Sequence, residues 1–349
     1  MVTSRYGVEE ATDTIWVFLE HEDGEFAGVA LELLGRAREL ADVAGWSVTG
    51  LLLGDAAAPL VEVAFAHGVD EVVLIEHLRL APFTVDAYAH AAYTALMDHK
   101  PSVFLLGATP NGRDLAGRLA VRLRTGLNAD CTDLRLDPET CVLVSEVSGF
   151  GGGVLALIEM PEHRPQMATV RPGVFLPGEP DPTRAGTVTP LAVEIPADIV
   201  RTRVVERVVG EGVDLTSAPV LVAGGRGVDG DFALLRELAE LLSGEVGATR
   251  PPVDEGHIER ERQIGQTGVV CRPQIAIVCG ASGAFHFTVG IENAETVIAI
   301  NTDPDAPIFD EADYCIVGDV HEVVPELIRA LKQKTEHATR TTIPDSRVA

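Results

Sequence analysis

Five segments in the second half of the chain collect residue types that suit a phosphorylated ligand. Gly224-Gly225-Arg226-Gly227 follows a short apolar run. Glycines at such a turn let the backbone approach a phosphate, a helix N-terminus behind it favours negative charge, and an arginine adds a charge-assisted hydrogen bond. Gly247-Ala248-Thr249-Arg250-Pro251-Pro252 holds an arginine on a stiff segment, where it reaches a ligand or pairs with a carboxylate. Gln263-Ile264-Gly265-Gln266-Thr267-Gly268 packs amide, hydroxyl and glycine together, a pattern shared by ligand loops and polar turns. Gly280 to Phe287 sets two glycines around Ser282 at a candidate helix start, which suits a pyrophosphate. In that segment His286 lacks a partner at metal-ligand spacing and reads, by itself, as structural. Ala299 to Phe309 contributes Asn301, an amide for a ribose or base, and 313–319 ends in Asp319.

The elements that position these segments repeat a strand–helix alternation. In the first half, strands are predicted at Thr14 to Leu19, Val48 to Leu53, Glu71 to Ile75 and Val103 to Leu106. Between them lie helices at Ala30 to Ala44, Leu60 to His67 and Thr84 to Asp98, with another at Arg113 to Arg124. Such alternation predicts a parallel sheet with helices on both faces. After Leu127 the pattern changes to successive strands, Cys131 to Leu136, Cys141 to Val147, Gly153 to Glu159 and Gln166 to Val170. These extend the first sheet or form an antiparallel edge. Prolines at 172, 177, 180, 182, 190 and 196 exclude a continuous helix over 171–196. The domain boundary is placed after them, near Val209 to Ala218. A second series follows: strands at Val220 to Ala223, Ile275 to Cys279, Thr296 to Asn301 and Tyr314 to Val317, and helices at Asp231 to Ser243 and Val320 to Lys334. The reading is α/β with two domains, 1–212 and 213–334, each a mainly parallel sheet flanked by helices, and a frayed tail at 335–349.

Composition bounds the function. The chain has 349 residues and a net charge of −26, which disfavours nucleic-acid backbones as partners. Its lysines are Lys100, Lys332 and Lys334 alone, a pattern of either an arginine-rich codon bias or a salt-adapted, halophile-like surface. No apolar run reaches the roughly 18 residues of a membrane span, and Met1 to Gly7 lacks signal-peptide order, so membrane insertion is not expected and a cytoplasmic location is. The five cysteines, at 131, 141, 271, 279 and 315, form no C-x-x-C pair, which argues against a metal site, an iron–sulfur cluster or a disulfide framework.

Taken together and in this order, the segments resemble the FAD domain of electron-transfer flavoprotein alpha subunits, whose pattern is GGRG, GA-(Ser/Thr)-R, GQTG, SGA, AIN-x-DP-x-APIF and ADY. The matching residues are Gly224 to Gly227, Gly247 to Arg250, Gly265 to Gly268, Ser282 to Ala284, Ala299 to Phe309 and Ala312 to Tyr314. The first half resembles the same family at Gly107-Ala108-Thr109, Gly112-Arg113-Asp114, Thr125-Gly126-Leu127 and Asp130-Cys131-Thr132. His163 to Gly173 looks like the anaerobic and nitrogen-fixation-type branch.

The resemblance implies a Rossmann-like, DHS-like C-terminal fold holding one FAD, and an N-terminal domain that contacts a beta subunit. It assigns Arg226, Ser282, Gly283 and Asn301 to the ADP half, with Asp319 close by, and counts Val320 among the cofactor-binding positions. Around the ring and ribityl chain it places Thr249 and Ile264, with Gln266 beside Thr267; Gly265, Ala284 and Phe285 are further cofactor-binding positions. Arg250 matches the arginine that lies against the flavin and Thr267 the hydroxyl that meets N5; these two are the flavin-tuning, catalytic candidates. One position departs: the family's Gln-His is here His286-Phe287. A phenylalanine donates no hydrogen bond, so loss of the donor at the flavin O2 edge implies a lowered potential unless His286 reaches the same atom.

The implied function is an electron carrier that passes electrons through FAD from a dehydrogenase or NADH to a partner oxidoreductase. Two modes fit. One is shuttling from acyl-CoA dehydrogenases of fatty-acid β-oxidation to a quinone oxidoreductase; the other is electron bifurcation from NADH to a high-potential acceptor and ferredoxin. The branch resemblance of 165–173 leans to the second. The competing class is a nucleotide-binding regulatory or scaffold subunit that has lost flavin chemistry, which Phe287 favours and Arg250 and Thr267 oppose. An autonomous enzyme would need an acid–base or nucleophile–base pair, and no such pair is legible.

Overall fold

The computed structural model describes residues 4–149, 154–206, 215–216 and 218–341, with the backbone alone at 148–149 and 335–341. It divides into two compact units, Met1–Arg207 and Val208–Ala349. Of the expected boundary segment, 209–214 and 217 lie outside the described residues, as does Gly153 at the start of one predicted strand.

The first unit runs β1 (Thr12–Phe18), β2 (His21–Glu22), β3 (Glu25–Phe26), α1 (Gly28–Ala44), β4 (Ser47–Gly54), α2 (Val61–Ala66), β5 (Glu71–Glu76), α3 (Val85–His99), β6 (Pro101–Gly107) and α4 (Pro110–Leu123). It continues through β7 (Leu127–Cys131), β8 (Asp133–Leu136), β9 (Leu143–Gly149), β10 (Val154–Glu159), β11 (Gln166–Val170) and β12 (Thr187–Pro190). Seven strands form a parallel sheet in the order β12-β5-β4-β1-β6-β11-β7. Both faces are covered, which is why the buried stretches of its central strands are mainly apolar. On β1, Ile15 and Val17 enter the core beneath α1 and α2, while Trp16 and Phe18 enter the core beneath α3 and α4.

Several boundaries differ from the sequence reading, each for a local reason. The strand expected over Cys131 to Leu136 is two strands in different sheets: β7 joins the parallel sheet, and β8 joins β9 and β10 in a separate antiparallel one. Asp130 at φ +60 and a register shift along the β7–β11 pairing bend the chain there. Helix α4 begins at Pro110, not Arg113, because Thr109 caps it by accepting from the Gly112 N–H at 2.9 Å and proline is favourable in a first turn. The proline-rich stretch hides a strand, β12, which tolerates Pro190 because it is an edge strand.

The second unit runs β13 (Val220–Gly224), α5 (Phe232–Leu241), β14 (Glu245–Ala248), α6 (Arg250–Asp254), β15 (Ile275–Cys279), α7 (Phe285–Thr288), β16 (Thr296–Asn301), β17 (Tyr314–Val317) and α8 (Val320–Thr341). All five strands are parallel in the order β14-β13-β15-β16-β17. Val222, Ile277 and Cys279 pack beneath α5 and α8; Leu221, Ala223, Ala276 and Val278 face the opposite core with Ile264 and Phe287. Helix α8 passes its expected end at Lys334 and reaches Thr341, since no glycine or proline interrupts 335–341; only residues 342–349 of the expected tail lie outside the description.

Candidate functional site

In an open parallel sheet, the crevice opens at the carboxyl ends of the strands where the winding reverses. In the second unit that point lies between β13 and β15: the chain goes from β13 outward to β14, then returns to the other side. The two loops leaving these strands interlock. The Gly225 N–H donates to Cys279 O at 2.8 Å and the Gly227 N–H to Gly280 O at 2.9 Å. A Cβ on Gly225 would sit 2.4 Å from Gly280 O, so the approach admits only glycine.

A cavity of about 790 Å³ opens beside this junction. Its walls carry eleven of the sequence-predicted residues: Arg226, Thr249, Arg250, Ile264, Thr267, Ser282, Gly283, Ala284, His286, Phe287 and Asn301. The remaining five, Gly265, Gln266, Phe285, Asp319 and Val320, are not on its wall. Gly265 and Gln266 instead build the loop: Gly265 donates to Val269 O at 3.0 Å and the Gln266 N–H to His286 O at 2.8 Å. Gly265 has φ +125, and a Cβ there would lie 2.1 Å from His286 O. Asp319 accepts from the His321 N–H at 2.8 Å at the start of α8, and Val320 is buried beneath that helix.

Sequence reasoning assigned no individual role to Gln263, Asp303 or Pro307, which also line the cavity, as does Gly280, where close backbone approach was expected. Their proximity to the assigned positions was a signal; direction was the missing information. The strand β14 was unpredicted too, yet it sets Thr249 and Arg250 at the crevice, with the Thr249 N–H donating to Gly224 O at 2.9 Å.

One end of the cavity is built from unmatched donors. The backbone N–H groups of Ser282, Gly283 and Ala284 find no acceptor among the described residues. Ile308 N–H donates to Ser282 O at 3.1 Å and fixes that loop. Arg226 is exposed beside it, without an ion pair among the described residues. Asn301 does not leave its amide idle: it donates to Ala281 O at 2.8 Å and accepts from the Asp303 N–H at 3.0 Å.

The other lining residues are chemically different. Arg250 begins α6, two-thirds exposed, and its Nε donates to Asp254 Oδ2 at 3.0 Å, so it both lines the cavity and pairs with a carboxylate. Thr267 is exposed, and its oxygen accepts from the Gln263 side-chain amide at 2.9 Å. His286 is exposed, whereas Phe287 is 4% exposed and packs in the core shared with Ile264. Burial pushes the Cys279 thiol up to about 12, so this cysteine under the glycine junction stays protonated and inert. None of the five cysteines is in a disulfide.

The donor set fits a dinucleotide carrying a flavin. A free backbone cradle and an arginine suit a pyrophosphate, and the volume lies in the range of cofactor pockets. Ile264, Phe287, Pro251 and Pro307 supply apolar wall, while Arg250, Thr267 and His286 supply polar groups.

The comparisons with known proteins agree. Residues 15–196 match the electron transfer flavoprotein domain and 214–292 the electron transfer flavoprotein FAD-binding domain. The chain is 43% identical over 323 residues to the electron transfer flavoprotein subunit alpha of Thermoanaerobacterium thermosaccharolyticum, covering 91% of this chain and 98% of that protein. It is 44% identical to protein FixB of Clostridium saccharobutylicum over 323 residues, covering 91% and 96%. It is 37% identical to the acryloyl-CoA reductase electron transfer subunit beta of Anaerotignum propionicum over 350 residues, covering 91% and 95%. The chain belongs to the electron transfer flavoprotein alpha-subunit family, and its cofactor is FAD.

Proposed function

We propose that this alpha subunit carries electrons through an FAD held in the cavity of the second unit, as half of a heterodimer with a beta subunit. FAD, when bound, accepts and releases the electrons. Arg226 and the amides of Ser282 to Ala284 bind its pyrophosphate, Asn301 holds their loop in place, and Arg250, Thr267 and His286 set the electrostatics around the ring. The observation that carries this reading is the convergence of both kinds of group on one cavity wall. A scaffold that had lost flavin chemistry would need the phosphate end alone.

The donor in this reading is NADH or a dehydrogenase, such as an acyl-CoA dehydrogenase, and the acceptor a quinone oxidoreductase or ferredoxin. Electron bifurcation is supported by the resemblance of 163–173 to the anaerobic branch. Likeness to a subunit named for acryloyl-CoA reductase supports a CoA-ester reductase as one partner. No helix among the described residues is long and apolar enough to cross a membrane, and we place the heterodimer in the cytoplasm.

Flavin content and anaerobic NADH reduction of the co-purified heterodimer test this. Two flavins reduced by NADH support bifurcation. One FAD that NADH leaves oxidised, but an acyl-CoA dehydrogenase reduces, supports the simple shuttle. A heterodimer without flavin overturns both.

A further inference from the structure

We infer that Gln263 is a positioning residue for electron transfer: it holds the Thr267 hydroxyl so that its proton points into the cavity. The inference rests on the reading above that the flavin ring lies against Thr267.

The argument begins with donor and acceptor counting. A threonine hydroxyl has one proton and two lone pairs. The Gln263 side-chain Nε2 donates to Thr267 Oγ1 at 2.9 Å, which occupies one lone pair from the buried side. The hydroxyl proton cannot then point back along that bond. It finds no acceptor among the described residues, and Thr267 lines the cavity. A direction left open to it is toward a ligand acceptor there.

Gln263 is suited to this task by rigidity. It is 5% exposed, unlike Thr267. Its carbonyl accepts from the Val269 N–H at 2.7 Å, and it bridges Ala248 at the end of β14. Gly268 passes so close that a Cβ there would lie 2.1 Å from Gln263 O. The loop from 263 to 269 is closed on itself, with the amide as its inner wall. A buried donor on a tightly tied backbone therefore biases the direction of an exposed, otherwise free rotor.

The consequence is electrostatic. A proton aimed at the ring stabilises the negative charge that arrives with electrons, and a preorganised donor does so without reorientation. Without Gln263 the hydroxyl divides among roughly three staggered positions. The fraction aimed at the ring, and with it the equilibrium for reduction, falls by up to about threefold.

A double-mutant cycle on the FAD-loaded heterodimer tests this, read as flavin midpoint potential and not as turnover. Gln263→Met is expected to lower the potential in the otherwise natural protein. That shift should vanish when Thr267→Val is also present and return with Thr267→Ser. Persistence of the Gln263→Met shift in the Thr267→Val background overturns the assignment, since Gln263 would then act directly or through general packing. So does an unchanged potential in Gln263→Met alone. If Thr267→Val itself leaves the potential unchanged while FAD is bound, the placement of the ring against Thr267 fails, and the inference with it. Should Gln263→Met fail to fold, Gln263→Asn keeps an amide one methylene too short and completes the same cycle.

Discussion

The side-chain amide of Asn301, at the end of β16, donates at 2.8 Å to the carbonyl oxygen of Ala281 on the loop after β15. Its oxygen accepts from the Asp303 N–H at 3.0 Å, so one side chain ties together two loops of the crevice. The residue thus holds the loop that carries the Ser282 to Ala284 amides in place. Asn301→Ala should weaken FAD retention about tenfold, the worth of roughly one to two hydrogen bonds in the loop. Asn301→Asp, which keeps the acceptor but sets a carboxylate oxygen against Ala281 O and adds negative charge there, should fall at least as far. Flavin fluorescence released on serial dilution measures both. Equal retention in all three proteins would show that the tie is dispensable.

Gly265 gives a sharper test of the 263–269 loop. Its φ of +125 and the 2.1 Å approach to His286 O leave no room for a methyl group. Gly265→Ala should cost more than about 2 kcal/mol through backbone strain and displacement of His286. Thermal unfolding and FAD content should fall together. A variant that unfolds at the natural temperature and binds FAD normally would mean the loop is free to shift.

Much of this site was legible because its chemistry is carried by short, ordered segments. Arg226, Arg250, Thr267 and Ser282 to Ala284 lie on the cavity wall, as the segment pattern implied. What the pattern does not encode is orientation. Asn301 and Asp319 both end strands or begin helices with a polar side chain, yet one closes the crevice and the other caps α8. Gln263 was passed over because an amide before Ile264 has no distinctive spacing; its role depends on a hydrogen bond across a closed loop. In the first unit, apolar runs revealed most central strands. The β7–β8 break was hidden because a positive φ at Asp130 leaves no mark in hydropathy.

Arg250 and Asp254 offer a test of electrostatic tuning. The carboxylate is bonded to the guanidinium at 3.0 Å and opposes its field at the cavity. Arg250→Ala should lower the flavin potential, and Asp254→Asn should raise it, each by an amount on the order of the 59 mV that marks a tenfold one-electron equilibrium. Spectroelectrochemical titration of the heterodimer reads both signs. Shifts in the same direction would show that the pair acts through packing and not through charge.

The His286-Phe287 pair makes a further prediction about potential. Phe287 is buried in the core beside Ile264, while the imidazole of His286 is exposed on the cavity wall. If position 287 governs the ring edge, Phe287→His should add a donor and raise the flavin potential by about tenfold in the reduction equilibrium. It should also lose some stability from the buried polar ring. An unchanged potential there, with a lower one in His286→Ala, would transfer the donor role to His286.

Glu20, just beyond the end of β1, tests the first unit independently of the flavin. Burial raises its carboxyl above the ordinary value, and this outweighs hydrogen bonds from Thr109, at 2.7 Å, and Asn111. The folded state therefore holds this proton at a pH where the unfolded chain has released it. Its contribution to stability is fully present below the unfolded carboxyl value and is lost as pH rises through the raised folded one. Glu20→Gln keeps an acceptor for Thr109 and removes the titration. The variant should gain thermal stability relative to the natural protein as pH rises from acid to neutral, with the gain levelling off above the folded value. Unfolding temperatures measured for both proteins across that range decide the point: a difference that does not change with pH would mean that the Glu20 carboxyl titrates alike in the folded and unfolded chain.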